Sequence, residues 1–179
     1  MGKDIVLLSS SPRKNGNTER LVAAFIAGAK TAGKEVRLFR VADMDIAPCL
    51  GCNACFKHPG VCARQDDMAE IVAAIIKAET LVFASPVYFF SISAQLKAAI
   101  DRMYVLLNMK TPVKKTAFLL TCGAPTSDAA EPSVAMFHMI AAYQKWQEAG
   151  IVIAPNLHIP GELEGRPELA AAQKLGEAI

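Results

Sequence analysis

Short β-branched runs alternate along this chain with longer stretches of helical periodicity. That alternation is the strongest constraint on its fold, because it is the pattern of a parallel sheet covered by helices on both faces. Residues 5–8 (Ile5-Val6-Leu7-Leu8) are apolar at every position, as a strand buried on both sides must be. Residues 17–32 predict a helix with Leu21, Val22, Phe25 and Ile26 on one face and Thr18-Glu19 at its start. Residues 35–40 read as the second strand, with Val36 and Leu38 toward the core, and a cysteine-bearing loop follows over about 48–66. Asp67-Met68-Ala69-Glu70 has the form of a capping box, opening a helix whose buried stripe is Met68, Ile71, Val72, Ile75 and Ile76. Further strands are expected over 80–85, 115–121 and around 151–153, with helices over 93–107, 132–148 and from about 167 to the end. No internal repeat, low-complexity tract or linker interrupts the pattern, so one doubly wound α/β domain with a five-stranded parallel sheet is expected over residues 1–179.

The chain has 179 residues, a length that suits one domain burying about 70% of its extended surface without disulfide staples. Its 53% apolar content excludes a disordered chain. Nineteen Lys and Arg against seventeen Asp and Glu leave a charge of +2 and no basic stripe, which argues against a nucleic-acid binder. That balance also suits a strongly acidic electron shuttle poorly. No apolar run reaches the roughly 18 to 20 residues of a membrane span; the longest are broken by Lys77 and Glu79, or by Ser85 and Pro86. Lys3 and Asp4 precede an apolar run too short for a signal peptide, and Val6 breaks the myristoylation pattern after Met1-Gly2. Five cysteines, an odd number with four of them crowded, point to metal or redox chemistry in a reducing, cytoplasmic setting.

Open parallel sheets bind ligands beyond the carboxyl ends of their strands. Three loops qualify here. Ser9-Ser10-Ser11-Pro12-Arg13-Lys14-Asn15-Gly16-Asn17-Thr18 joins the first strand to a helix N-terminus, where a phosphate would meet free N–H groups, hydroxyls and Arg13. The competing reading is an ordinary polar turn. Ser85-Pro86-Val87-Tyr88-Phe89-Phe90-Ser91 leaves the third strand with aromatics on which a planar ring could stack. Thr121-Cys122-Gly123-Ala124 leaves the fourth, its glycine permitting close backbone approach. No G-x-G-x-x-G is present, and Gly28 to Lys34 joins a helix to a strand, the reverse of a P-loop, so Gly33 reads as a helix cap. His58, His138 and His158 are dispersed, no hydrolase triad can be argued, and no side chain is singled out for acid–base catalysis.

Taken together, Ser11-Pro12-Arg13 with Gly16-Asn17-Thr18, and Ser85-Pro86-Val87-Tyr88 followed by Gln95-Leu96-Lys97 and Asp101-Arg102, resemble the NADPH-dependent FMN reductase and iron–sulfur flavoprotein families. The resemblance implies a flavodoxin-like sheet of order 2-1-3-4-5. It implies that Ser11, Arg13, Asn17 and Thr18 bind FMN phosphate, and that Pro86, Val87, Tyr88, Phe89, Thr121, Cys122, Gly123 and Ala124 flank the isoalloxazine ring. It further implies NAD(P)H as electron donor and assembly as a homodimer or homotetramer, with residues 91–107 at the contact. Lys97 and Asp101 also read simply as an i,i+4 surface pair.

Cys49-Leu50-Gly51-Cys52-Asn53-Ala54-Cys55, then Cys62 and Gln65-Asp66-Asp67-Met68, resemble the cluster segment of the iron–sulfur flavoproteins. Four closely spaced thiolates suit a 4Fe–4S cluster. Zinc, with His58 as a possible ligand, and metal-free redox thiols are the alternatives. The expected function is an FMN-dependent oxidoreductase passing electrons from NAD(P)H to a flavin, quinone or similar small acceptor, or to a redox protein. The alternatives are an iron–sulfur flavoprotein relaying single electrons between protein partners, and a redox- or metal-sensing binding module.

Overall fold

The computed structural model describes residues 5–179, so the targeting signals discounted at Met1–Asp4 lie outside the described residues. Six strands form: β1 (Ile5–Ser9), β2 (Val36–Arg40), β3 (Thr80–Tyr88), β4 (Ser91–Ile92), β5 (Lys115–Thr121) and β6 (Gln147–Ala154). Five run parallel in the order β2-β1-β3-β5-β6, and β4 pairs antiparallel with the end of β3. The five expected parallel strands lie side by side as read, but the expected total and the numbering 2-1-3-4-5 are corrected to six strands and 2-1-3-5-6, because β3 runs beyond Ser85 and folds back on itself as the antiparallel β4.

Pro86 does not end that strand. The Ala84 carbonyl accepts from Ser10 N–H at 3.0 Å, so residues 84 and 86 face the β1 side, and β1 has already ended opposite Ala84. The N–H that proline lacks is not needed there, while register with β5 continues to Pro86 opposite Thr121. The strand then reverses at Phe89 and Phe90, both left-handed (φ 49° and 67°), in a two-residue turn whose twist suits a hairpin.

Helices α1 (Asn17–Thr31) and α6 (Pro167–Ala178) cover one face of the sheet. On the other lie α3 (Met68–Ile75), α4 (Ala94–Arg102) and α5 (Glu131–Gln144), while the short α2 (Ala54–Lys57) sits within the cysteine loop. Ile5 and Leu7 enter the first core, Val6 and Leu8 the second. On the edge strand β2 the expectation is corrected: Phe39 is buried and Leu38 is 40% exposed, since helical cover does not reach this edge evenly. Helix α5 stops at Gln144, with Lys145 left-handed, because Trp146 turns into the core as the chain enters β6. Among the described residues no helix is long and apolar enough to cross a membrane.

Two glycines set how closely α1 and α6 approach. A Cβ on Gly28 would stand 1.9 Å from the Gln173 carbonyl oxygen, and one on Gly176 would stand 2.1 Å from that of Phe25. Gly33 (φ 72°) closes α1 as read, with Gly33 N–H donating to Lys30 O and Lys34 N–H to Ala29 O.

The capping box at Asp67 does not form. Asp67 has helical backbone angles and its carboxylate accepts from Asp45 N–H at 2.8 Å, while Asp66 accepts from Met68 N–H at 3.2 Å. Asp66 also meets Arg102, the last residue of α4, in a bidentate pair of 2.5 and 2.9 Å with both side chains buried. Arg102 donates to the Ala47 carbonyl as well, at 2.8 Å, so one guanidinium joins both stems of the cysteine loop.

Two tests follow from this packing. Gly176→Ala must push α6 off α1 and is expected to lower the thermal midpoint, with a destabilisation of about 2 to 3 kcal/mol, typical of overpacking against backbone. The Arg102 hydrogen bonds hold the Asp66 carboxyl below its ordinary pKa, against the effect of burial. The unfolded chain therefore binds this proton at higher pH than the folded one. The stability contributed by the pair is complete above the ordinary carboxylate value of about 3.9 and is lost as pH falls through the folded value. Asp66→Asn should cost about 3 kcal/mol at neutral pH, and urea titrations across pH 2 to 7 should show a flatter acid limb than wild type.

Candidate functional site

The carboxyl ends of β1, β3 and β5 open into a hollow of about 240 Å³. Ser11, Arg13, Gly16, Asn17 and Thr18 line it from the first loop, Pro86, Val87 and Tyr88 from β3, and Thr121, Cys122 and Gly123 from β5. The structure thus brings together most residues singled out for the flavin. Two stand outside the lining. Phe89 is 97% exposed at the hairpin tip, and Ala124 directs its carbonyl to Asn156 N–H at 2.7 Å.

The local chemistry follows from the sequence. Gly16 caps α1 without a side-chain hydrogen bond, which leaves the first N–H groups of the helix to a ligand or solvent. Ser11 and Thr18 are buried, and the Thr18 and Thr121 hydroxyls meet at 2.7 Å, fixing the first loop against β5. Burial raises the Cys122 thiol above its ordinary pKa and keeps it a neutral wall. Cationic and hydroxyl donors at a helix N-terminus, beside an apolar strand end and a glycine, suit a phosphate attached to a planar ring.

The fourth wall is Leu157 and His158, from the loop after β6, which the sequence reading missed. Its position on the same carboxyl edge was the available signal, since β6 is the parallel neighbour of β5. Arg13 donates to the His158 carbonyl at 3.1 Å. Asn17 grips the same loop twice, donating to Ile159 O at 2.9 Å and accepting from Gly161 N–H at 3.2 Å. The carboxylate of Glu162 takes the His158 and Ile159 N–H groups, and these bonds lower its pKa. Two residues read as phosphate ligands therefore also clasp the loop that closes the hollow. Lys97 and Asp101 form the i,i+4 surface pair, at 2.6 Å.

Cys49, Cys52, Cys55 and Cys62 line a second cavity, of about 330 Å³, against the end of α4. It shares no lining residue with the first. Left-handed turns at Gly51 (φ 63°), Asn53 (φ 56°) and Gly60 (φ 81°) fold the loop around it. Cys55 and Cys62 are half-buried against the core, Cys49 and Cys52 exposed, and all five thiols of the chain are free. Among the described residues no three His, Cys, Asp or Glu groups stand close enough to share one metal ion. A cluster instead spreads its thiolates around a volume. Arg64 and Arg102 both line this cavity, and each buries a guanidinium Nε–H without a hydrogen-bond acceptor. Buried donors without acceptors, beside four thiols, fit an anionic thiolate-bound group.

The chain as a whole is similar to several known proteins. A family model for NADPH-dependent FMN reductase matches residues 4–156. An iron–sulfur flavoprotein from Methanocaldococcus jannaschii is 34% identical over 134 residues, 75% of this chain and 69% of that protein. Another, from Methanosarcina thermophila, is 31% identical over 157 residues, 86% of this chain and 78% of that protein. In fold, an NAD(P)H:quinone oxidoreductase from Methanothermobacter marburgensis matches with a TM-score of 0.79 at 18% identity, over 99% of this chain and 96% of that one. An azoreductase from Bacillus anthracis matches with a TM-score of 0.74 at 17% identity, over 99% and 100% of the two chains. The carboxyl-edge hollow thus sits in a flavodoxin-like chain that belongs to the NADPH-dependent FMN reductase family and is related to the iron–sulfur flavoproteins.

Proposed function

We propose that this protein is an FMN-dependent oxidoreductase that takes electrons from NAD(P)H and delivers them to a small planar acceptor or a redox protein. The observation that carries the reading is the hollow itself, where Ser11, Arg13, Asn17 and Thr18 from one loop face the ends of β3 and β5. The hydroxyls of Ser11 and Thr18, the Arg13 guanidinium and the start of α1 would hold the phosphate. Val87, Tyr88, Cys122 and Gly123 would border the ring. A bound FMN supplies the hydride and electron chemistry. The chain's own part is to bind, orient and shield, with His158 and Leu157 closing the far side.

A second reading is favoured by a separate observation: the four loop cysteines line one cavity with two buried, unpaired guanidinium N–H groups. Cys49, Cys52, Cys55 and Cys62 would hold a 4Fe–4S cluster, which supplies one-electron transfer, and the protein would then relay electrons to protein partners. The iron–sulfur flavoprotein relatives support this reading.

Pairing of two copies is proposed through α4 and α5. Between these helices runs a mainly apolar groove of about 810 Å³ bearing Tyr104 (54% exposed), Met139 (74%) and Tyr143 (74%). Apolar surface grouped in this way marks an interaction site.

Denaturing the protein and identifying the released flavin should yield FMN; FAD, or failure to take up FMN on reconstitution, would refute the central reading. Arg13→Ala should weaken FMN binding by about 1.5 to 3 kcal/mol, roughly 10- to 150-fold, on loss of a charge-assisted hydrogen bond. Unchanged affinity in a fluorescence titration would remove Arg13 from the site. Sedimentation at micromolar concentration should show a dimer or larger species that Met139→Glu converts toward the 19.1 kDa monomer.

A further inference from the structure

We propose that Arg102 is the positioning residue of the cysteine centre, closing the loop that carries all four cysteines and setting the reduction potential of the cluster they hold. The proposal rests on the cluster reading above for its redox half and on the loop geometry alone for its structural half.

Arg102 is 2% exposed, and a guanidinium so buried is costly unless its N–H groups find acceptors. Its partners are distributed in an informative way. One is the Ala47 carbonyl, just before Cys49, and the other is the Asp66 carboxylate, after Cys62. Every cysteine of the cavity lies on the chain between these two contacts. Asp66 reinforces the neck by accepting from Ala47 N–H at 3.2 Å, and Asp67 adds a second rung to Asp45 through its backbone N–H and its carboxylate. The sequence supplies no disulfide here, and this ionic staple takes that place.

The remaining donor is the argument for a redox role. Arg102 Nε–H is buried without an acceptor in the wall that Cys62 also lines. Four thiolates around a 4Fe–4S core of charge 2+ carry a net negative charge. A guanidinium at one of the sulfurs stabilises the reduced, more negative state and so raises the potential. Asp66 opposes it. The pair therefore sets the potential through two groups of opposite sign, which yields a test that a merely structural role fails.

The experiment uses anaerobically prepared full-length wild type, Arg102→Gln, Arg102→Lys and Asp66→Asn, with bound FMN as the control for folding. Iron and acid-labile sulfide are measured, the cluster potential is read by EPR-monitored redox titration, and N-ethylmaleimide labelling of metal-free protein is followed residue by residue. Arg102→Gln is expected to shift the potential down and Asp66→Asn to shift it up. Both should speed labelling of Cys55 and Cys62 at least fivefold, and Arg102→Lys, which keeps the charge but not the fork, should speed labelling with a smaller potential shift. Should Arg102→Gln fail to retain FMN, the Lys and Asn variants carry the same comparison. Potentials that move the same way in the Asp66 and Arg102 variants, or do not move, overturn the redox role. Unchanged labelling overturns the staple. Wild-type protein without iron or sulfide refutes the cluster reading and with it the redox role, while the labelling rates still decide the staple.

Discussion

A parallel sheet of this kind must be buried on both faces, and that requirement organises the rest of the molecule. All five residues of β1 are buried, Ile5 and Leu7 toward α1 and α6, Val6 and Leu8 toward α3 and α4. Once helices cover both faces, the strand ends are the part of the sheet left for a ligand. Loops from β1, β3, β5 and β6 meet there because adjacent parallel strands end on the same edge, though they lie far apart in sequence. The tightness of the cover is set locally, by Gly28 and Gly176, where backbone meets backbone without room for a methyl group.

The polar groups at that edge serve two ends. Arg13 and Asn17 fasten residues 158–161 as well as facing the hollow, so the same side chains hold that segment and line the opening. The hairpin beyond Pro86 carries a local cost: Phe89 and Phe90 both take left-handed angles that non-glycine residues seldom adopt, at about 1 kcal/mol each. The two-residue turn between β3 and β4 requires those angles, and it leaves both rings exposed at the hairpin tip, outside the lining of the hollow.

The cysteine loop is held by another principle. It has few buried apolar side chains of its own, and its shape depends on one buried ion pair and on three left-handed turns. An ion pair of this sort contributes little net stability but strongly penalises any arrangement that breaks it, so it specifies one geometry. That property is useful where four thiols must surround a single volume.

The sequence by itself determined the layered α/β class, most strand positions and the loops that line the hollow, because hydrophobic periodicity and strand-to-helix turns are local signals. The loops that carry Ser11, Arg13, Thr18 and Cys122 were legible for that reason, whereas the individual residues were singled out by resemblance to a family. Tertiary structure alone decided what depends on neighbours distant in the chain. Pro86 remains within a strand only because β1 ends beside it, and Leu38 is exposed only because β2 is an edge. His158 joins the hollow through the adjacency of β5 and β6. Asp66 rather than Asp67 becomes the buried anion because Arg102, from another helix, needs a carboxylate at that depth. Local propensity carries no information about such pairings, since the energy that selects them arises only when the partners have been desolvated together.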